Sequence, residues 1–493
     1  MKKVGKYLAI SMLLLLGLCC VGVLYIFFIP NASLFNITYI NHNNQIKSSV
    51  YNAEEISHVV VNSRAYDVEV VASNNDEIQL EVYSNSFGFT LTKNENVNLS
   101  ASVSNSVLTF NVKESYGAAI KNNSRIKLHV SSNFPVDLTL SNKSATTIIN
   151  SDDVKIKNLT YSSNNGNFYF NKGQINETIN LDINKANFYI SNTVKTNINN
   201  VKLKLSSGKF YANNQKLGEV ELLKNSRGVV NIKECTRFTE NISSAGGQIN
   251  IEKASYVNIL TSDSIISINE ITDGANIELT ASGKVSIQTL KTISSIKTNS
   301  GDIFVNNAES NLTLHSNSGN IKVNSAQTIV SVNTISGKAE IFFNENAESF
   351  KNSTDGFTYR VLNARVKNGT LIATGVEHLG LVKDAEGVDV GEGVEITGSG
   401  KITIKMNNVF GENQIIGNNG NVNMVINKQS VYTLLTESET GNVRVNLTQI
   451  IQYGGYNTTT LTETNVNCKN SENKLSVKTT NGSLFVYDTN FAN

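Results

Sequence analysis

Between residues 283 and 341, apolar and polar positions alternate in a five-residue block that returns at an even interval. The blocks are Gly283-Lys-Val285-Ser-Ile287, Gly301-Asp-Ile303-Phe-Val305, Gly319-Asn-Ile321-Lys-Val323 and Gly337-Lys-Ala339-Glu-Ile341. Apolar residues stand two and four places after each glycine, with polar residues mostly between them. That period of two describes a strand with one buried face. A second apolar set follows in each repeat: Ala308, Leu312 and Leu314 after Gly301, then Ala326, Val330 and Val332 after Gly319. Each repeat therefore supplies at least two short strands, and what remains is too short for a crossover helix. An internal period of about 20 residues marks a solenoid whose units stack on their copies. The pattern predicts an all-β chain folded as a parallel β-helix with about 18–21 residues per rung.

The same unit recurs with looser spacing. Gly400, Gly420, Gly441 and Gly482 open copies toward the C-terminus, and Gly247, Gly208 and Gly166 toward the N-terminus. The stretch from Gly441 to Gly482 reads as two rungs with one glycine lost. The pattern assigns 59–343 and 397–493 to solenoid, and 31–58, polar and aperiodic, to a stalk and N-terminal cap. In 344–396 the glycine spacing stretches and an acidic run appears at 383–389, which reads as longer rungs, a protruding loop or a seam. Ser483–Tyr487 lies close to the C-terminus and predicts an open edge able to pair with another copy.

The N-terminus breaks the pattern. After Lys2, Lys3 and Lys6, residues 7–29 carry no charge. As a helix this segment would span roughly 34 Å, enough for the hydrocarbon core of a bilayer. The apolar run is long for a cleaved signal peptide, and no small-residue cleavage site follows it. Residues 1–30 are therefore expected to be a cytoplasmic tail and transmembrane signal anchor. Lysines before the span and none just after it place 30–493 outside the cell membrane.

Composition narrows the chemistry. Forty-two basic residues against 41 acidic ones argue against nucleic-acid binding by bulk charge. Only two prolines occur, which suits a backbone whose N–H groups serve ladders. Cys235 and Cys468 would stand about eleven rungs or 50 Å apart in such a stack, far beyond disulfide reach. They are expected to be single thiols. Neither they nor the five scattered histidines have metal-ligand spacing, so no metal and no cofactor is expected. Polysaccharide-cleaving sites need two or three acids converging on one groove. The outward columns read Lys284, Asp302, Asn320, Lys338 and Ser286, Phe304, Lys322, Glu340, which stack no acids. No catalytic residue is assigned. Asn299 and Asn317 are placed to form an amide ladder. Tyr169, Tyr189 and Tyr211, each one rung beyond the last, form the candidate binding column, because an outward aromatic stripe suits sugar or protein contact.

Thr298-Asn-Ser-Gly-Asp-Ile-Phe-Val305, Asn317-Ser-Gly-Asn-Ile-Lys-Val323 and Thr334-Ile-Ser-Gly-Lys-Ala339 resemble the Ser-Gly-Asp-Ile rungs of the bacterial adhesin-type surface domains. Val59–Val70 and Asn74–Val82 are similar to that family's opening rungs. The resemblance implies a β-solenoid behind an N-terminal membrane anchor, with no catalytic motif. It implies a cell-surface interaction protein whose partner is a glycan, the cell wall or a surface protein. The readings from other classes are a cell-envelope polysaccharide-active enzyme and an envelope-stress accessory protein.

Overall fold

The computed structural model describes residues 11–21, 38–64, 66–90, 98–113, 119–122, 125–196, 198–241, 246–344, 360–379, 393–448, 450–453, 462–466 and 471–489. These residues are almost all strand and fall into two compact units, Met1–Gln174 and Ile175–Asn493.

In the second unit the glycine-led repeat becomes two parallel ladders. Lys284–Leu290, Asp302–Ala308, Ile321–Ala326 and Lys338–Phe343 pair in turn along one, with Val285, Ile303, Ile321 and Ala339 in register. Ser294–Thr298, Leu312–Ser316, Ile329–Thr334 and Val361–Val366 pair along the other. The apolar columns Val285/Ile303/Ile321/Ala339 and Ile296/Leu314/Val332 are at most 3% exposed. Burying each Val, Leu or Ile of these columns is worth about 1.5–3 kcal/mol, so stacking like on like carries the fold. The stack is solenoid-like. It runs directly through the stretched region, because Val361–Val366 pairs with Ile329–Thr334 and Thr370–Val376 with both Lys338–Phe343 and Lys401–Met406. The residues that widen the glycine spacing, 345–359 and 380–392, lie outside the described residues, and the acidic run at 383–389 with them.

Two devices make the corners. Buried Ser and Thr side chains clasp the glycine three places on: Thr298 Oγ1 donates to the Gly301 carbonyl at 2.7 Å, Ser316 Oγ to Gly319 at 3.1 Å, and Thr479 Oγ1 to Gly482 at 3.1 Å. The glycines themselves answer to space. A Cβ at Gly319 would overlap the carbonyl of Gly301, and one at Gly337 that of Gly319. Gly283 has φ +128°, but Gly301, Gly319 and Gly337 do not need a left-handed backbone. Close approach of the neighbouring rung, rather than turn conformation, holds these three positions to glycine.

The uniform parallel β-helix expected from the repeat is not what forms. At the C-terminal end, Lys474–Thr479 pairs with Glu412–Gly417 on one side and Tyr432–Ser438 on the other. Leu484–Asp488 likewise lies between Asn421–Ile426 and Val443–Asn446. The last rung in sequence is thus the penultimate one in space. Ser483–Tyr487 is no open edge, and no glycine was lost from a sequential rung. Antiparallel strands Thr462–Val466 and Ile450–Tyr453 then follow Tyr432–Ser438.

The first unit repeats this arrangement. His58–Ser63 pairs in parallel with both Val107–Lys113 and Val136–Asn142, so the opening rung is also interior. Thr38–Asn52, in the segment expected to be aperiodic stalk, is a strand antiparallel to Glu77–Thr90. Glu77–Thr90 also pairs antiparallel with Arg125–Ser131, although Asn74–Val82 resembled an ordinary rung. Backbone pairing explains why polar residues did not betray this antiparallel pair: a ladder needs no apolar periodicity to form.

Residues 11–21 are helical and exposed. No described helix is long and apolar enough to cross a membrane, and the rest of the expected span at 7–29 lies outside the described residues. Cys235 is buried and unpaired, its thiol pushed up to about 12 by desolvation. Cys468 lies outside the described residues.

Candidate functional site

The tyrosine column is built by strand alternation. In Asn187–Ile190 and Lys209–Asn225 the register is Asn187 to Lys209, Phe188 to Phe210 and Tyr189 to Tyr211. Phe188 and Phe210 point inward, fully buried, and stack at 6.0 Å and 23°. One residue on, the alternation turns Tyr189 and Tyr211 outward, half-buried. Their rings stack face to face with centroids 4.8 Å apart and planes parallel at 0°. That separation is the strand spacing itself, so the ladder sets the stack. Such aromatic pairs add about 0.5–1.5 kcal/mol beyond area burial, and the stack turns ring edges toward the surface.

Tyr169 belongs to the first unit, on Phe168–Ile183, and Asn167 Nδ2 donates to its hydroxyl at 3.3 Å. Within the second unit, Tyr189 and Tyr211 stand together. Along the same outward column the tyrosines give way to Asn231 and Asn250, in register with Tyr211. Asn250 Nδ2 donates to Asn231 Oδ1 at 2.5 Å. From Tyr189 onward the stripe is thus aromatic for two rungs and amide-faced for the next two.

The outward columns farther along keep the order read from the sequence: Lys284–Asp302–Asn320–Lys338 and Ser286–Phe304–Lys322–Glu340. The expected amide ladder is present, with Asn317 Nδ2 donating to Asn299 Oδ1 at 2.7 Å. Further rungs repeat it, Asn324 to Asn306 at 3.0 Å and Asn481 to Asn419 at 2.7 Å. Carboxylates on this surface pair with lysines between rungs, as Glu278 with Lys297 at 2.9 Å and Glu270 with Lys253 and Lys291 at 3.1 and 3.2 Å. The two lysines, by hydrogen bonds and charge, hold the Glu270 carboxyl below the usual range. Ion pairs between exposed groups on neighbouring rungs contribute little to stability. Among the described residues, no three of His, Cys, Asp and Glu gather closely enough to hold a metal ion.

Sequence reasoning passed over Glu240. It stands in the core column between Leu222 and Ile259, 1% exposed, with neither carboxylate oxygen hydrogen-bonded. Desolvation pushes its pKa up to about 8. Its signal was a charged residue at an apolar place in the strand alternation, after Phe238.

Comparison with known proteins places this architecture. The Toastrack DUF4097 family model matches residues 56–371. A Clostridium sporogenes crystal structure named as a "putative cell adhesion protein" is similar at 8% identity, covering 91% of this chain and 100% of its own, with a TM-score of 0.15. "Putative adhesin" structures from Parabacteroides merdae and Parabacteroides distasonis are similar at 15% and 13% identity. They cover 61% and 67% of this chain and 96% and 97% of their own, with TM-scores of 0.24 and 0.20. No curated protein matches the chain.

Proposed function

We propose that this chain, which belongs to the Toastrack DUF4097 family, is a membrane-anchored surface-interaction protein of adhesin type that performs no catalysis. Residues 1–6 are its cytoplasmic tail, 7–29 its single membrane span, and 30–493 its extracellular part. The lysines before the uncharged run support that orientation. The partner is a glycan, cell-wall polymer or surface protein rather than a nucleic acid, in keeping with the balanced charge.

The observation that carries this reading is the outward Tyr189–Tyr211 stack at 4.8 Å beside the Asn231–Asn250 amide pair. Ring edges flanked by amides offer apolar contact and hydrogen bonds together, which suits sugars and polar peptide surfaces. Each contact is weak, and many copies of the chain in one membrane raise the total by multivalency. Carboxylates tied to lysines favour display over cleavage.

The reading is tested by incubating the full-length protein with cell-wall and capsular polysaccharides and with whole cells. Retention on at least one of these without release of new reducing ends is expected. Release of new ends would establish the enzyme reading instead. Protease added to intact cells is expected to cleave within 30–493, and complete resistance would overturn the outward orientation.

A further inference from the structure

A second surface, on the other ladder, is built around an amide that has nothing to bond. Asn363 is 4% exposed, yet neither its Oδ1 nor its Nδ2 has a hydrogen-bond partner. Among the described residues it is the only buried amide with both ends unsatisfied. Buried polar groups of this kind are uncommon, because each unmet donor or acceptor costs about 1–3 kcal/mol.

The ladder explains how the position arises. Val361 and Leu362 pair onward with His378 and Leu379, whereas Ala364 to Val366 pair with Val394 to Ile396. The following rung is split, and among the described residues no strand residue of it pairs with Asn363. On the other side Asn363 is in register with Ser331. Next to this column runs His315–Asn333–Arg365–Glu395, also in register. Together these residues, Asn363 among them, line a groove of about 610 Å³. That volume lies in the range of small-molecule sites and suits one or two sugar rings.

The chemistry of the lining selects the ligand. Arg365 Nε is bound to Glu395 Oε2 at 3.1 Å, so the one cation and the one anion of the groove offset each other. His315 Nε2 is held by Asn317 Oδ1 at 3.0 Å. What remains is a neutral surface of hydroxyl and amide groups. An amide presents one acceptor and two donors a short distance apart, which matches two adjacent hydroxyls, one giving and one receiving a hydrogen bond. We infer that the groove at Ser331, Asn333, Asn363 and Arg365 is a binding site for a neutral carbohydrate, with Asn363 bonding a vicinal hydroxyl pair. This site is separate from the tyrosine stripe and does not depend on it.

The test uses the full-length chain in a polyoxyethylene detergent, which carries no sugar headgroup. Maltose, cellobiose and N,N′-diacetylchitobiose are titrated by calorimetry and by saturation-transfer NMR. At least one is expected to bind, and Asn363→Ala to weaken it tenfold or more, the loss of about one good hydrogen bond. Ser331→Ala, which leaves the buried amide in place, serves as the second variant and is expected to weaken binding severalfold. A Tyr189→Ala/Tyr211→Ala protein is expected to bind the disaccharide as the parent does, which separates this site from the tyrosine stripe. Absence of binding to all three sugars, or equal binding by parent, Asn363→Ala and Ser331→Ala, would overturn the site and leave a trapped water as the partner of Asn363.

Discussion

Gly482 lies between Gly420 and Gly441 in the stack, although it follows both in sequence: a Cβ on Gly482 would overlap the Gly420 carbonyl, and one on Gly441 the Gly482 carbonyl. The chain lays down the rung at 432–446, leaves, and returns to insert 474–488 beneath it. His58–Ser63, inserted between Val107–Lys113 and Val136–Asn142, does the same near the other terminus. A sequential solenoid would peel from its ends one rung at a time. Here each interior rung nearest a terminus has partners on both sides, so fraying must break two ladders.

Deleting residues 447–493 tests the insertion. It removes the only parallel partner that Val443–Asn446 has among the described residues and exposes Asn421–Ile426. Hydrogen exchange is expected to show 421–426 and 443–446 losing protection together. Unchanged protection at 443–446 would mean that this rung rests directly on 421–426.

Gly319→Ala and Thr298→Val separate the two corner devices. The added methyl at 319 meets a backbone carbonyl, which has little freedom to move, and is expected to cost about 1–3 kcal/mol as overpacking. Thr298→Val keeps the shape but leaves the Gly301 carbonyl without its 2.7 Å donor, at about 1–3 kcal/mol. Urea denaturation would measure both. Because the sites share one corner, the double variant is expected to depart from additivity.

Glu240 makes stability depend on pH. Its carboxyl ionises near 4.5 in the unfolded chain and near 8 in the folded one. Below the lower value both states hold the proton. Between the two, the unfolded chain releases a proton that the folded chain keeps, so stability falls as pH rises, by about 1.4 kcal/mol per unit for a complete difference. Above the upper value the loss is complete and no longer grows. Glu240→Leu is expected to be the more stable protein at pH 8, with the advantage shrinking toward pH 4.5. An advantage that does not change between pH 5 and pH 8 would show that Glu240 is already charged in the core.

The all-β class, the inward columns and the amide ladder were legible because each is written in a local period. Val285, Ile303 and Ile321 announce their burial through spacing alone, and Asn299 announces Asn317 by the same interval. Rung order was not legible, because Gly482 and Gly441 carry the same signature and any two like rungs stack equally well on paper. The Thr298-to-Gly301 clasp was visible as a Thr-x-x-Gly spacing that strand alternation alone does not interpret. Tyr189 and Tyr211 were found by spacing, but Asn363 was hidden, since its isolation comes from the split of the rung beside it.

The Tyr189→Ala/Tyr211→Ala protein addresses the central claim most directly. Both substitutions lie on the outward face, so the fold is expected to survive with a modest loss, about 1 kcal/mol from the ring pair. Full-length protein and variant, displayed at equal density on the same membrane, are compared for retention on the polysaccharide or cell surface that the parent binds. The account predicts at least a tenfold drop in retention for the variant with its urea midpoint nearly unchanged. Retention equal to the parent's would contradict it.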